Sequence, residues 1–129
     1  MRFVALFPFF WGLAAAFGCG QSTSEKRGEL SRISKAIDDV RMAANANKGA
    51  RLHQLSAARC IHFCELRESC VRAYQRHVGA LSLIDEAKKA NSEVSVDLLV
   101  RAESELKAAR PLVEECAALQ GELLRNWKS

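Results

Sequence analysis

The stretch Val96–Trp127, VDLLVRAESELKAARPLVEECAALQGELLRNW, carries Leu99, Ala102, Leu106, Ala109, Val113, Cys116, Leu123 and Trp127 at steps of three, four and seven. This near-heptad rhythm places them along one face of a long helix. Such a helix buries its apolar stripe only against other helices. Pro111 interrupts the run. Proline removes a backbone donor and crowds the preceding turn, so a kink is expected near residues 106–110, or a break with Pro111 opening a fourth helix.

Working back towards the N-terminus, residues 90–93 read as a turn, with Ser95 as the next helix cap. Before it, residues 51–89 read as one long second helix. At about 100° per residue, Leu52, Phe63, Cys70 and Leu81 fall on one edge of an apolar band. His53, Cys60, Cys64, Val71 and Val78 fall on the other, and the band spans ~120°. That width suits contact with two neighbouring helices. Residues 25–46 read as the first helix. Leu30, Ile33, Ile37, Val40 and Ala44 form its stripe, while Lys26, Glu29, Lys35, Asp38 and Asp39 form the solvated face. Ser22 with Glu25 three residues on fits a capping box and sets the expected start. The stretch Asn45–Gly49 is expected to break the helix, since Asn and Gly tolerate the left-handed conformation. The fold expected is therefore all-α, an antiparallel bundle of three long helices over residues 25–129, the third kinked or split at Pro111.

The chain has 129 residues, a net charge of +4, three histidines and five cysteines. Its charges alternate in sign along the helices. Nucleic-acid binding calls for a concentrated basic face, and none is visible in the sequence. Beyond residue 18 the only aromatics are Phe63, Tyr74 and Trp127. A core of Leu, Ile, Val and Ala suits narrow helix seams better than a roomy ligand pocket.

Residues 1–19 differ in composition from the rest. One charge, Arg2, precedes an apolar run, Phe3–Phe17, which holds five of the chain's six phenylalanines. A charged start, an apolar middle and small residues (Ala14, Ala15, Ala16, Gly18) make an export signal. The run is shorter than the ~20 residues a membrane-spanning helix needs. The end of this stretch, Ala14-Ala15-Ala16-Phe17-Gly18-Cys19, resembles the lipobox of bacterial lipoproteins. It matches at Gly18 and Cys19, and departs at Ala16, where the family favours Leu, and at Phe17, where it favours a smaller residue. The resemblance covers residues 1 to about 24 only. It implies cleavage after Gly18, diacylglycerol and palmitate on Cys19, and a membrane-anchored protein with residues 19–24 as a short tether. Gly20, where the family's inner-membrane proteins carry Asp, implies the outer membrane facing the periplasm. Ordinary cleavage after Gly18 or Ala16, leaving Cys19 a free thiol, is the alternative.

Five cysteines is an odd number, and a secreted protein rarely leaves one unpaired. Assigning Cys19 to lipid leaves Cys60, Cys64, Cys70 and Cys116. With the turn near residue 92 or 93, Cys70 faces residue 115, one step from Cys116. A Cys70–Cys116 disulfide is expected, worth ~4 kcal/mol on the chain-entropy estimate. Cys60 and Cys64 lie on one helical face with parallel side chains, so a bridge there demands local distortion. Two buried thiols are the expectation and the bridge is the alternative.

His53, Cys60 and Cys64 share a stripe and could supply soft metal ligands, although a fourth ligand would have to come from elsewhere. Core cysteines with a histidine at the rim is the simpler reading, and His62 points away from the stripe. The acidic pairs Glu114-Glu115, Glu65/Glu68 and Asp38-Asp39 read as solvated, and a Cys64 dyad with His53 or His77 would need a pocket that aliphatic seams do not suggest. No catalytic residue and no cofactor is expected. The function implied is a lipid-anchored helical interaction module that docks an envelope protein. A metal- or thiol-handling periplasmic protein using Cys60, Cys64 and His53 is the alternative.

Overall fold

A computed structural model describes the backbone of residues 7–128 and the side chains of residues 23–127. The described residues are helical almost throughout, without strands, and form four helices: α1 (Phe7–Met42), α2 (Asn45–Ala57), α3 (Cys64–Lys89) and α4 (Ser92–Lys128).

The expected second helix is two. The chain leaves helical geometry at residues 58–63, between α2 and α3. Cys60 and Cys64 are joined across this break, with their Cα atoms 5.1 Å apart. In an unbroken helix their side chains would run parallel. They converge because Cys60 lies in the irregular segment while Cys64 opens α3. The expectation of two free buried thiols is thus overturned.

Three helix ends also differ from expectation. α1 passes through Ser22–Glu25 without a start there, so residues 19–24 are helical rather than a loose tether. α1 stops at Met42, and α2 begins at Asn45, within the stretch expected to be a break. The extended conformation of Ala44 makes the corner. The Lys48 ammonium, buried, donates to the carbonyls of Val40 and Arg41 at 2.9 Å each. It thereby satisfies orphan acceptors at the negative end of α1. At the other turn the cap of α4 is Asn91 rather than Ser95. The Asn91 side-chain carbonyl accepts the Val94 N–H at 3.1 Å, so α4 starts at Ser92. α4 then continues through Pro111 without a break, which removes the fourth-helix alternative at that point.

α3 and α4 form a hairpin across the two-residue turn Ala90-Asn91. Cys70 and Cys116 are bonded as expected, with Cα atoms 4.9 Å apart, although the turn lies at residues 90–91 rather than near the 92 or 93 on which that expectation rests. The Arg76–Glu105 ion pair, at 3.9 Å, also joins α3 to α4. Buried Ala73, Ala80 and Ala87 recur every seven residues on α3, and Ala102, Ala109 and Cys116 do so on α4. Small side chains on both sides allow the two backbones to lie close.

α1 packs along the half of this hairpin remote from the turn. Leu30, Ile33, Ile37 and Val40 are buried as their spacing predicts, whereas Ala44 is exposed. The contacts of Glu29 with residues 61–62 and of Arg41 with Tyr74 set α1 parallel to α3. The core cluster reaches only to Val78 on α3 and begins at Leu112 on α4. Beyond Val78 the hairpin is an arm of two helices, extending ~17 Å to the turn at 1.5 Å per residue.

Replacing Cys70 and Cys116 together with alanine removes the staple across the base of this arm. A loss of about 4 kcal/mol in urea-unfolding stability is expected.

Candidate functional site

The interface of α1 with the rest of the fold is held by polar groups that the sequence pattern does not announce. Glu29, expected on the solvated face, is 3 % exposed. Its carboxylate accepts the N–H of Ile61 and that of His62, the latter at 2.9 Å. The break at residues 58–63 frees these backbone donors, and a charged acceptor from α1 takes them. Arg67 closes the other side of the same segment by donating to the Ala58 carbonyl at 2.7 Å. The pinned segment presents Ile61 outward at 71 % exposure, beside a cavity of about 270 Å³ lined by Glu25, Arg32, Arg59 and His62.

Gln120 is the second such group. The α4 stripe runs Val113, Cys116, Leu123, Trp127, and position 120 is the gap in its three-four alternation. Gln120 fills that gap and is buried. Its side-chain amide donates to the Ser34 hydroxyl at 2.7 Å and to the Asp38 carboxylate at 3.1 Å, while its carbonyl accepts from Arg41 at 2.8 Å. Arg41 also donates to Asp38 at 2.9 Å and to the Tyr74 hydroxyl at 3.3 Å. One buried amide therefore meets polar partners at three successive positions of α1 and fixes its register. A gap in an otherwise regular heptad was the signal for it. Glu29 had none, because its position on the helix wheel is outside the apolar stripe. Among the described side chains no buried polar atom lacks a partner.

The other predicted residues are scattered. His53 is exposed on α2, and His62 is exposed in the pinned segment. Both sulfurs of the candidate metal set are joined in the Cys60–Cys64 bond. Among the described residues no group of three His, Cys, Asp or Glu side chains is arranged to hold a metal ion. Glu65, Glu68, Glu114 and Glu115 are exposed, while Asp38 belongs to the Gln120 network. The Cys19 side chain and the Met1–Arg2 start of the signal lie outside the described residues. Among the described residues no helix is long and apolar enough to cross a membrane. On the arm, Val96 and Val100 are 62 % and 60 % exposed and Leu99 is exposed beside them, outside the seam that its spacing predicted. The adjacent Leu98 is buried instead. Comparison with protein families, curated proteins and solved structures finds no match to this chain.

His77 packs edge-on against Tyr74, their ring centres 6.5 Å apart. Burial, and secondarily the charge of Lys48, hold its pKa below the ordinary 6.5. The unfolded chain therefore binds this proton more readily than the folded one, and stability rises with pH through that window. On acidification below about pH 6.5 the protein should lose stability until the folded-state pKa is passed. His77→Gln should flatten that slope in urea melts taken across the range. Separately, Glu29→Ala strands two backbone donors and should cost about 2–3 kcal/mol, with faster hydrogen exchange at Ile61 and His62.

Proposed function

We propose that the chain is a bacterial envelope lipoprotein, anchored through Cys19 after removal of residues 1–18, whose helical domain is a non-catalytic interaction module. One observation carries this reading. The Cys60–Cys64 and Cys70–Cys116 pairs account for four of the five cysteines, and the fifth is Cys19, at the end of the apolar run. Two disulfides fit an oxidising compartment. A lone cysteine behind a signal-like segment fits acylation, and several acyl chains hold a protein at a membrane where one would not.

The polarity of the fold agrees with such a role. α1 enters beside residues 61–62 and ends beside Tyr74, so the anchor end and the arm point in opposite directions. With Cys19 at the outer membrane, the arm and its exposed Val96, Leu99 and Val100 face the periplasm. In this reading α1 and the hairpin act as a three-helix bundle at the base, α1 parallel to α3 and antiparallel to α4, and Pro111 bends α4. The metal- or thiol-handling alternative is less favoured, because its two sulfur ligands would first have to be reduced.

Cells fed a radiolabelled fatty acid should label the wild-type protein and not Cys19→Ala, which should also accumulate uncleaved. Recovery of the unlabelled wild-type chain with residues 1–18 attached would overturn the anchor.

A further inference from the structure

A groove of about 660 Å³ lies between α3 and α4, running from Arg72 in the base to Leu83 in the arm. Its floor is Gly79 and Leu83 on α3 with Leu112 on α4, and its walls carry Arg72, Arg76 and Arg101. One carboxylate, Glu105, also lines it and meets Arg76 at 3.9 Å. Arg72 and Arg101 have no ion-pair partner among the described residues. Arg41 and Arg67 close the core through hydrogen bonds, whereas Arg72 and Arg101 are exposed and Arg76 meets only Glu105 across the groove.

Gly79 is the second indication. Glycine is a poor choice in the middle of a helix, where it weakens the element for entropic reasons. A close helix crossing is the usual justification, but a Cβ built at Gly79 would meet nothing within 4 Å. No turn or positive φ requires it either. Gly79 is exposed and lines the groove, so the missing side chain leaves the groove open at this position.

We infer that this groove is the docking site of the interaction module, and that it takes an acidic amphipathic segment of a partner protein. The apolar floor accepts the partner's hydrophobic side chains, and the arginine walls pair with carboxylates along its polar face. The groove's net positive charge selects that sign of partner and speeds its approach. This assignment rests on the reading of the domain as an interaction module, but not on the lipid anchor.

The test uses the full chain purified in detergent and a fluorescent helical peptide with leucines at helical spacing and glutamates elsewhere. Binding is read by anisotropy. The acidic peptide should bind, more weakly as salt rises. Affinity should fall at least about tenfold both in Gly79→Leu, which fills the floor, and in the triple reversal Arg72→Glu, Arg76→Glu, Arg101→Glu. Gly79→Ala, which adds helix propensity, should melt slightly higher than wild type and certify that position 79 tolerates a side chain. The inference is overturned if the acidic peptide does not bind, or if a peptide with lysines in place of the glutamates binds as well. It is equally overturned if a single-stranded oligonucleotide binds more tightly, or if folded Gly79→Leu and the triple variant bind like wild type. A chain that binds the peptide yet takes up no labelled fatty acid keeps the groove and loses the anchor.

Discussion

The covalent bond between Cys70 and Cys116 lies inside the core, at the part of the hairpin that α1 and α2 cover. On the core side, α3 and α4 are covered by α1 and α2, and aliphatic burial holds the four helices together. Beyond Val78, the two helices have only each other, with alanines every seven residues on their shared seam. Such a seam buries little apolar area per turn, so its helices depend on being held at one end. The disulfide does this. It fixes separation and register at once, and everything towards the turn follows from that geometry.

The rest of the base is a solution to the problem the Cys60–Cys64 bond creates. Joining those sulfurs requires the chain to leave the helix at residues 58–63, which exposes backbone donors that a helix would have paired. Glu29 on α1 takes two of them, and Arg67 on α3 donates to the Ala58 carbonyl in the same segment. The break thus becomes the contact that locks α1 to the start of α3. A buried carboxylate with charge-assisted partners is tolerated where an unpaired one would not be. At the opposite end of that contact, Arg41 and Gln120 tie α1 to α4, and Lys48 ties α2 to the last turn of α1. The stretch of α1 from Glu29 to Arg41 is therefore held by polar contacts at both ends and by aliphatic burial between them.

This division bears on function. A base locked by two disulfides and buried polar links holds α1 and the arm in a fixed relation. The arm is the less covered part, and it holds the exposed Val96, Leu99 and Val100 and one end of the open groove.

The amino-acid sequence by itself determined the helical class, the apolar face of α1 from Leu30 to Val40, and the pairing of Cys70 with Cys116. The first two follow from periodicity, which states which face is apolar, and the third from both cysteines lying on the apolar faces of adjacent helices. What the spacing left open, the tertiary structure decided. Nothing local distinguishes Glu29 from the solvated Lys26 or Lys35, since its burial depends on backbone donors 32 residues away at Ile61. The break before α3 depends on a bond between two side chains that helical periodicity treats as ordinary core. The start of α2 at Asn45 depends on Lys48 reaching back over the end of α1. The groove is a space between helices, lined by residues from both, and neither helix contains it alone. Helical patterns record the average environment of a face, whereas burial of a single polar group is set by the one partner that folding brings to it.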